Sequence, residues 1–130
     1  MDKANALIDK QQEDQQDRSY ISIQDTLQAH TLSEGEVNSI SVELQSIQDI
    51  KQAWIIQKTT KHYPEKPAIA IALSLRFGWK WNDKNIVDTV AKQLHTIPGL
   101  NIETLFIVPI AGKTKKLGKK IRKEGMQLLP

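Results

Sequence analysis

Residues 68–75 read Ala-Ile-Ala-Ile-Ala-Leu-Ser-Leu. Large aliphatics at Ile69, Ile71, Leu73 and Leu75 alternate with the small residues Ala68, Ala70, Ala72 and Ser74, the period-two pattern of a β-strand. Neither face of that strand is polar. Two further strand-like runs behave the same way: Trp54 and Ile56 alternate with Ala53 and Ile55, and Phe106 and Val108 with Leu105 and Ile107. An antiparallel sheet with helices on one side and water on the other carries polar residues on its wet face. This sheet therefore needs a second cover, and the small side chains Ala70, Ala72 and Ser74 leave room for close approach there. Three covers are available: the basic C-terminal tail, the N-terminal arm, or a partner chain, with a homodimer through the open sheet face as one form of the last.

The helices are marked by their starts. Ser33 and Glu36 have S-x-x-E spacing, so each side chain reaches a free backbone N–H of the other residue, and Leu32 with Val37 fits a hydrophobic staple. Val37, Ile40, Leu44 and Ile47 then share one face, which predicts a helix over 34–47. Ile50–Gln57 reads as a strand, Lys58–Lys66 with Pro64 and Pro67 as a hairpin connection, and Ala68–Phe77 as the clearest strand, broken by Gly78. Asn82 or Asp83 caps a second helix with the stripe Ile86, Val87, Val90, Leu94 and Ile97, stopped by Pro98-Gly99. Leu105–Val108 is the last strand, ended by Pro109, and the short run Tyr20, Ile21 and Ile23 is the first and weakest. The order βαββαβ predicts an α+β two-layer sandwich of the ferredoxin-like, split-βαβ kind, two helices on one face of an antiparallel four-stranded sheet.

A chain of 130 residues holds one hydrophobic core. Residues 1–18 form a polar arm or linker (9–18 contain no apolar side chain), 19–110 the folded domain, and 111–130 a basic extension. Residues 1–60 carry ten acidic and five basic side chains, whereas 61–130 carry five and thirteen. Seven of those cations are Lys113, Lys115, Lys116, Lys119, Lys120, Arg122 and Lys123, a candidate anion-binding segment. As a helix it would put Leu117 and Ile121 on one side and cations around the rest, suited to nucleic-acid phosphates or an anionic membrane surface. Read plainly, the same run is a solvated tail anchored by its few apolar residues. No aromatic residue is interleaved in it for base stacking. Zero cysteines, no apolar run of membrane-spanning length and no secretory signal at the start lead to the expectation of a cytoplasmic protein.

Trp79 and Trp81 flank Lys80 after the long strand, one expected over the helix ends and the other exposed; with Trp54, Ala70, Ala72 and Phe106 they form a candidate protein interface. His30, His62 and His95 fall in separate elements without ligand spacing, so no metal is expected. No nucleophile elbow, glycine-rich phosphate loop or zinc-protease motif occurs, Asp83 near Asp88 reads as a helix cap, and neither a catalytic site nor a cofactor is expected. The segment Gln24–Thr31 offers Asp25, Thr26 and His30 for an amino-acid-sensing pocket. Sheet-borne RNA recognition would need aromatics on the central strand, where Ala70, Ala72 and Ser74 stand instead.

From Ile21 to Val108, about two thirds of the chain, the sequence resembles the C-terminal domain of the SseB family, named for enhanced serine sensitivity. The resemblance rests on a short strand (Ile21–Ile23), a helix, the pattern Ile50, Ala53, Trp54 and Ile55, a proline-bounded loop, the alternating strand Ala68–Leu75, a helix and the strand Leu105–Val108. It implies fold more than mechanism, because the family brings no catalytic residues to carry over. The family's separate N-terminal domain has no counterpart in the 130 residues, which implies a standalone relative or a fragment, and the extension past Pro109 lies outside the pattern. The expectation is a non-enzymatic interaction or regulatory domain, with nonspecific nucleic-acid binding through the tail as the alternative.

Overall fold

The computed structural model describes residues 19–48, 50–60, 66–75, 83–100, 102 and 104–129, with Gln12 and Gln15 ahead of them. Strands β1 (Leu27–Gln28), β2 (Ile50–Lys58), β3 (Ala68–Leu75), β4 (Thr104–Pro109) and β5 (Met126–Leu129) form one sheet, with helices α1 (Glu34–Gln45), α2 (Asp83–His95) and α3 (Lys115–Glu124) around it. The fold is α+β with a mixed sheet.

β2 and β3 pair antiparallel over nearly their whole length, with Trp54 opposite Ala72 and Ile56 opposite Ala70. β4 lies beside β3 and parallel to it, with Ala70 opposite Phe106 and Ala72 opposite Val108. The antiparallel ferredoxin-like expectation is corrected here. A split βαβ leaves another strand between the two that a helix connects, whereas α2 carries the chain between neighbours, and a helical crossover between neighbours returns the strand in parallel. In the expected order the inserted strand is the first, which here is two residues long and sits at the sheet margin against Lys58 and Gln57. It is also displaced from the expected Ile21–Ile23 to Leu27–Gln28. β5, which has no counterpart among the expected elements, pairs with β2 opposite Ala53–Ile55. Since β3 takes one edge of β2, β1 and β5 share the other.

The capping box forms as read: Ser33 Oγ accepts from Glu36 N–H and Glu36 Oε1 accepts from Ser33 N–H, each at 3.2 Å. α1 stops at Gln45, two residues short of the expected end, where the Ser46 N–H and hydroxyl both turn back to the Glu43 carbonyl. Ile40 and Leu44 of α1 and Val90 and Leu94 of α2 pack on Ile55, Ile69, Ile71 and Leu73, which makes the first core. Trp54, Ile56, Ala70, Ala72 and Val108 point to the other face and meet Leu117 and Ile121 of α3, with Ile21 at the margin. The second cover is thus the tail, and the sheet lies between helices on both sides. Among the described residues, no helix is long and apolar enough to cross a membrane.

Two glycines set how closely α3 approaches. A Cβ on Gly118, in mid-helix, would lie 2.7 Å from Ile110 Cγ1 and 3.1 Å from its Cα. A Cβ on Gly125, where the chain turns from α3 into β5, would lie 2.7 Å from the Ile55 carbonyl oxygen.

Candidate anion-binding surface

Ten residues with six cations do not make a stable free helix, because nucleation is costly and the charges repel. α3 exists by burying Leu117, Gly118 and Ile121 against the sheet. That contact fixes its rotation, so the cations of the opposite side are presented rather than left on a loose tail. Lys113, Lys115, Lys116, Lys119, Arg122 and Lys123 are all exposed. Among the described residues none of them has an acidic partner within salt-bridge distance. The helix spans about 15 Å.

The first turn adds to the positive field. No acidic residue occupies it, and the N-cap Thr114 makes no side-chain cap bond because its hydroxyl donates to the Pro109 carbonyl at 2.6 Å. Lys115 and Lys116 therefore sit at the positive end of the helix dipole, where a carboxylate would stabilise and a cation does the opposite.

Lys120 has another use. Its ammonium donates to the Ile23 and Asp25 carbonyls at 2.6 and 2.7 Å, which ties residues 23–25 to α3. A second lysine holds the same segment from below: Lys58, only 2% exposed, donates to the Tyr20 carbonyl at 2.9 Å and lies 3.5 Å from Asp25 Oδ2. Asp25 Oδ2 also accepts from Ser22 N–H at 2.7 Å. The Lys58 ammonium stands 5.2 Å from the centre of the Tyr20 ring, and the Arg122 guanidinium lies 5.8 Å from that of Trp54.

Of the candidate interface, Trp54, Ala70 and Ala72 are buried under α3 and Phe106 packs half-buried beside them, so these four face the tail helix. Trp79, Trp81 and His62 lie outside the described residues. His30 Nδ1 accepts from Leu32 N–H, His95 ends α2 on the surface, and no group of His, Asp or Glu among the described residues could hold a metal ion. Asp25 is engaged by lysine and backbone. Open hollows of about 360 and 340 Å³ occur on the α1–α2 side, one at Val42, Thr96 and Pro98 and the other at Ser33, Gly99 and Leu100. Sequence reasoning missed Lys58 and Tyr20. The signal for Lys58 was its parity, since the strand period puts it on the same inward face as Trp54 and Ile56. Comparison with family models, with curated proteins and with solved structures finds no match to this chain.

Proposed function

We propose that the domain is a non-enzymatic, sequence-nonspecific nucleic-acid-binding module that contacts phosphates through α3. The observation that carries this reading is the orientation of that helix. Its apolar side is spent on the sheet, and its outward side holds exposed cations at fixed positions that, among the described residues, make no salt bridge. A solvated tail would need neither the close-packed Gly118 nor the lysine clamp. Membrane insertion needs a free apolar face, which α3 does not have. Homodimerisation through the second sheet face is disfavoured by the same packing.

Phosphate binding of this kind is recognised by its salt dependence. With about four phosphates neutralised on a single strand, log K falls against log salt with a slope of about −3. Fluorescence anisotropy with a labelled oligonucleotide from low to physiological salt measures that slope, and Lys115→Glu with Lys119→Glu in one chain should abolish binding. No binding at low ionic strength, or binding indifferent to salt, would sink the proposal.

A further inference from the structure

The clamp that holds residues 20–25 also places an aromatic ring beside the basic helix. Tyr20 is 62% exposed and Ile23 47%, although both belong to a segment pinned by buried or half-buried lysines. The Tyr20 ring has the Lys58 ammonium near it on the protein side. On β2, Trp54 and Lys58 point to the same face four residues apart, which separates them by about 13 Å. One end of that span bears Tyr20 near Lys58, and the other bears the exposed Arg122 guanidinium over Trp54. Lys120 of α3 reaches the Asp25 carbonyl while the Asp25 carboxylate pairs with Lys58, so ring, clamp and basic helix form one continuous surface.

Resting on the phosphate-binding reading of α3, we infer that this surface takes single-stranded nucleic acid, with an unpaired base stacked on Tyr20. A duplex buries its base faces and can use only the cations. A single strand can use both, because every base has a face to offer an exposed ring and the planar guanidinium of Arg122 offers a second stacking plane. The cation near the Tyr20 ring and the two lysines holding its backbone segment fix the ring before the ligand arrives, so little freedom is lost on stacking.

The test uses the full chain and three labelled probes of matched length: a pyrimidine single strand, a duplex, and heparin, which has charge but no bases. Tyr20→Ala should weaken single-strand binding about ten-fold and leave duplex and heparin binding and the salt slope unchanged. Tyr20→Phe should retain single-strand affinity. The Tyr20 carbonyl that Lys58 uses survives both substitutions, and an unchanged melting temperature verifies that the clamp holds. If Tyr20→Ala binds the single strand like the parent while Lys115→Glu with Lys119→Glu does not, the stacking inference is overturned and the α3 reading stands. If the parent binds none of the probes, both fall. Equal losses on all three probes would also overturn the inference, since a stacking ring cannot act on heparin.

Discussion

Gly118→Ala separates a docked helix from a solvated one by the sign of its effect. In a free or exposed helix, alanine in place of glycine stabilises by about 1 kcal/mol, through backbone entropy. In the docked geometry the new methyl would meet Ile110 Cγ1 at 2.7 Å, Cα at 3.1 Å and Cβ at 3.3 Å. Carbon atoms settle near 3.5–4.0 Å. A rotation of Ile110 can move Cγ1 away, but Cα belongs to the backbone, so α3 must lift by several tenths of an ångström. Leu117 and Ile121 lift with it and lose contact with Ala70 and Ala72. Overpacking of that kind costs about 1–3 kcal/mol. Set against the propensity gain, the net is a destabilisation of about 1 kcal/mol, or roughly 4 °C in melting temperature for a domain of this size. Urea unfolding followed by tryptophan fluorescence and by circular dichroism gives the value, and an unchanged m-value keeps the comparison two-state. A variant more stable than the parent by about 1 kcal/mol would mean that α3 is not seated on the sheet, and the case for a rigid basic surface would go with it.

The second glycine should be less forgiving. Gly125→Ala puts a methyl 2.6 Å from the Ile121 carbonyl oxygen and 2.7 Å from that of Ile55, and both obstacles are backbone, so a cost of about 2 kcal/mol or more is expected. Hydrogen exchange at Met126–Leu129 should quicken more than at β3, and equal protection in both would count against the pairing of β5 with β2. Lys58→Met removes the cation that Asp25 and the Tyr20 carbonyl share. Because the Asp25 side chain is 23% exposed, the loss should fall below the range for fully buried pairs, at about 2 kcal/mol. Asp25→Asn in the Lys58→Met background should cost less than in the parent, and strict additivity of the two would refute the coupling.

Local signals carried much of this fold. The S-x-x-E spacing at Ser33 named the start of α1, and the apolar character of both parities at 53–56, 68–75 and 105–108 demanded a cover on each face. The tail was already one of the candidates for it. Strand direction was not legible, because β4 alternates in the same way whether it runs with β3 or against it, and helix-linked strands can land beside each other or one place away. Four residues at 126–129 are too few to display a period, so β5 left no trace. The surface was legible only in half. Cations cluster within eleven residues, but Tyr20 stands 100 positions before Lys120, and the two segments meet only in the fold, where Lys120 reaches the Ile23 and Asp25 carbonyls. Similarly, nothing near Lys58 announces Asp25, which is 33 residues earlier and reachable only after β1 has folded onto β2.

The shared edge of β2 imposes an order of assembly. Trp54 pairs with Gln127, 73 residues later, and the opposite sheet face waits on Leu117 and Ile121. During synthesis, a chain that has reached Pro109 already possesses β2, β3, β4 and both helices of the first core. Its second face, lined by Trp54, Ala70 and Ala72, is still bare, and so is half of the β2 edge. Those are the two features through which incomplete sheets stick to one another. Residues 110–129 therefore complete both cores and end this exposure to aggregation, while bringing a charge that keeps neighbouring copies apart until α3 has docked.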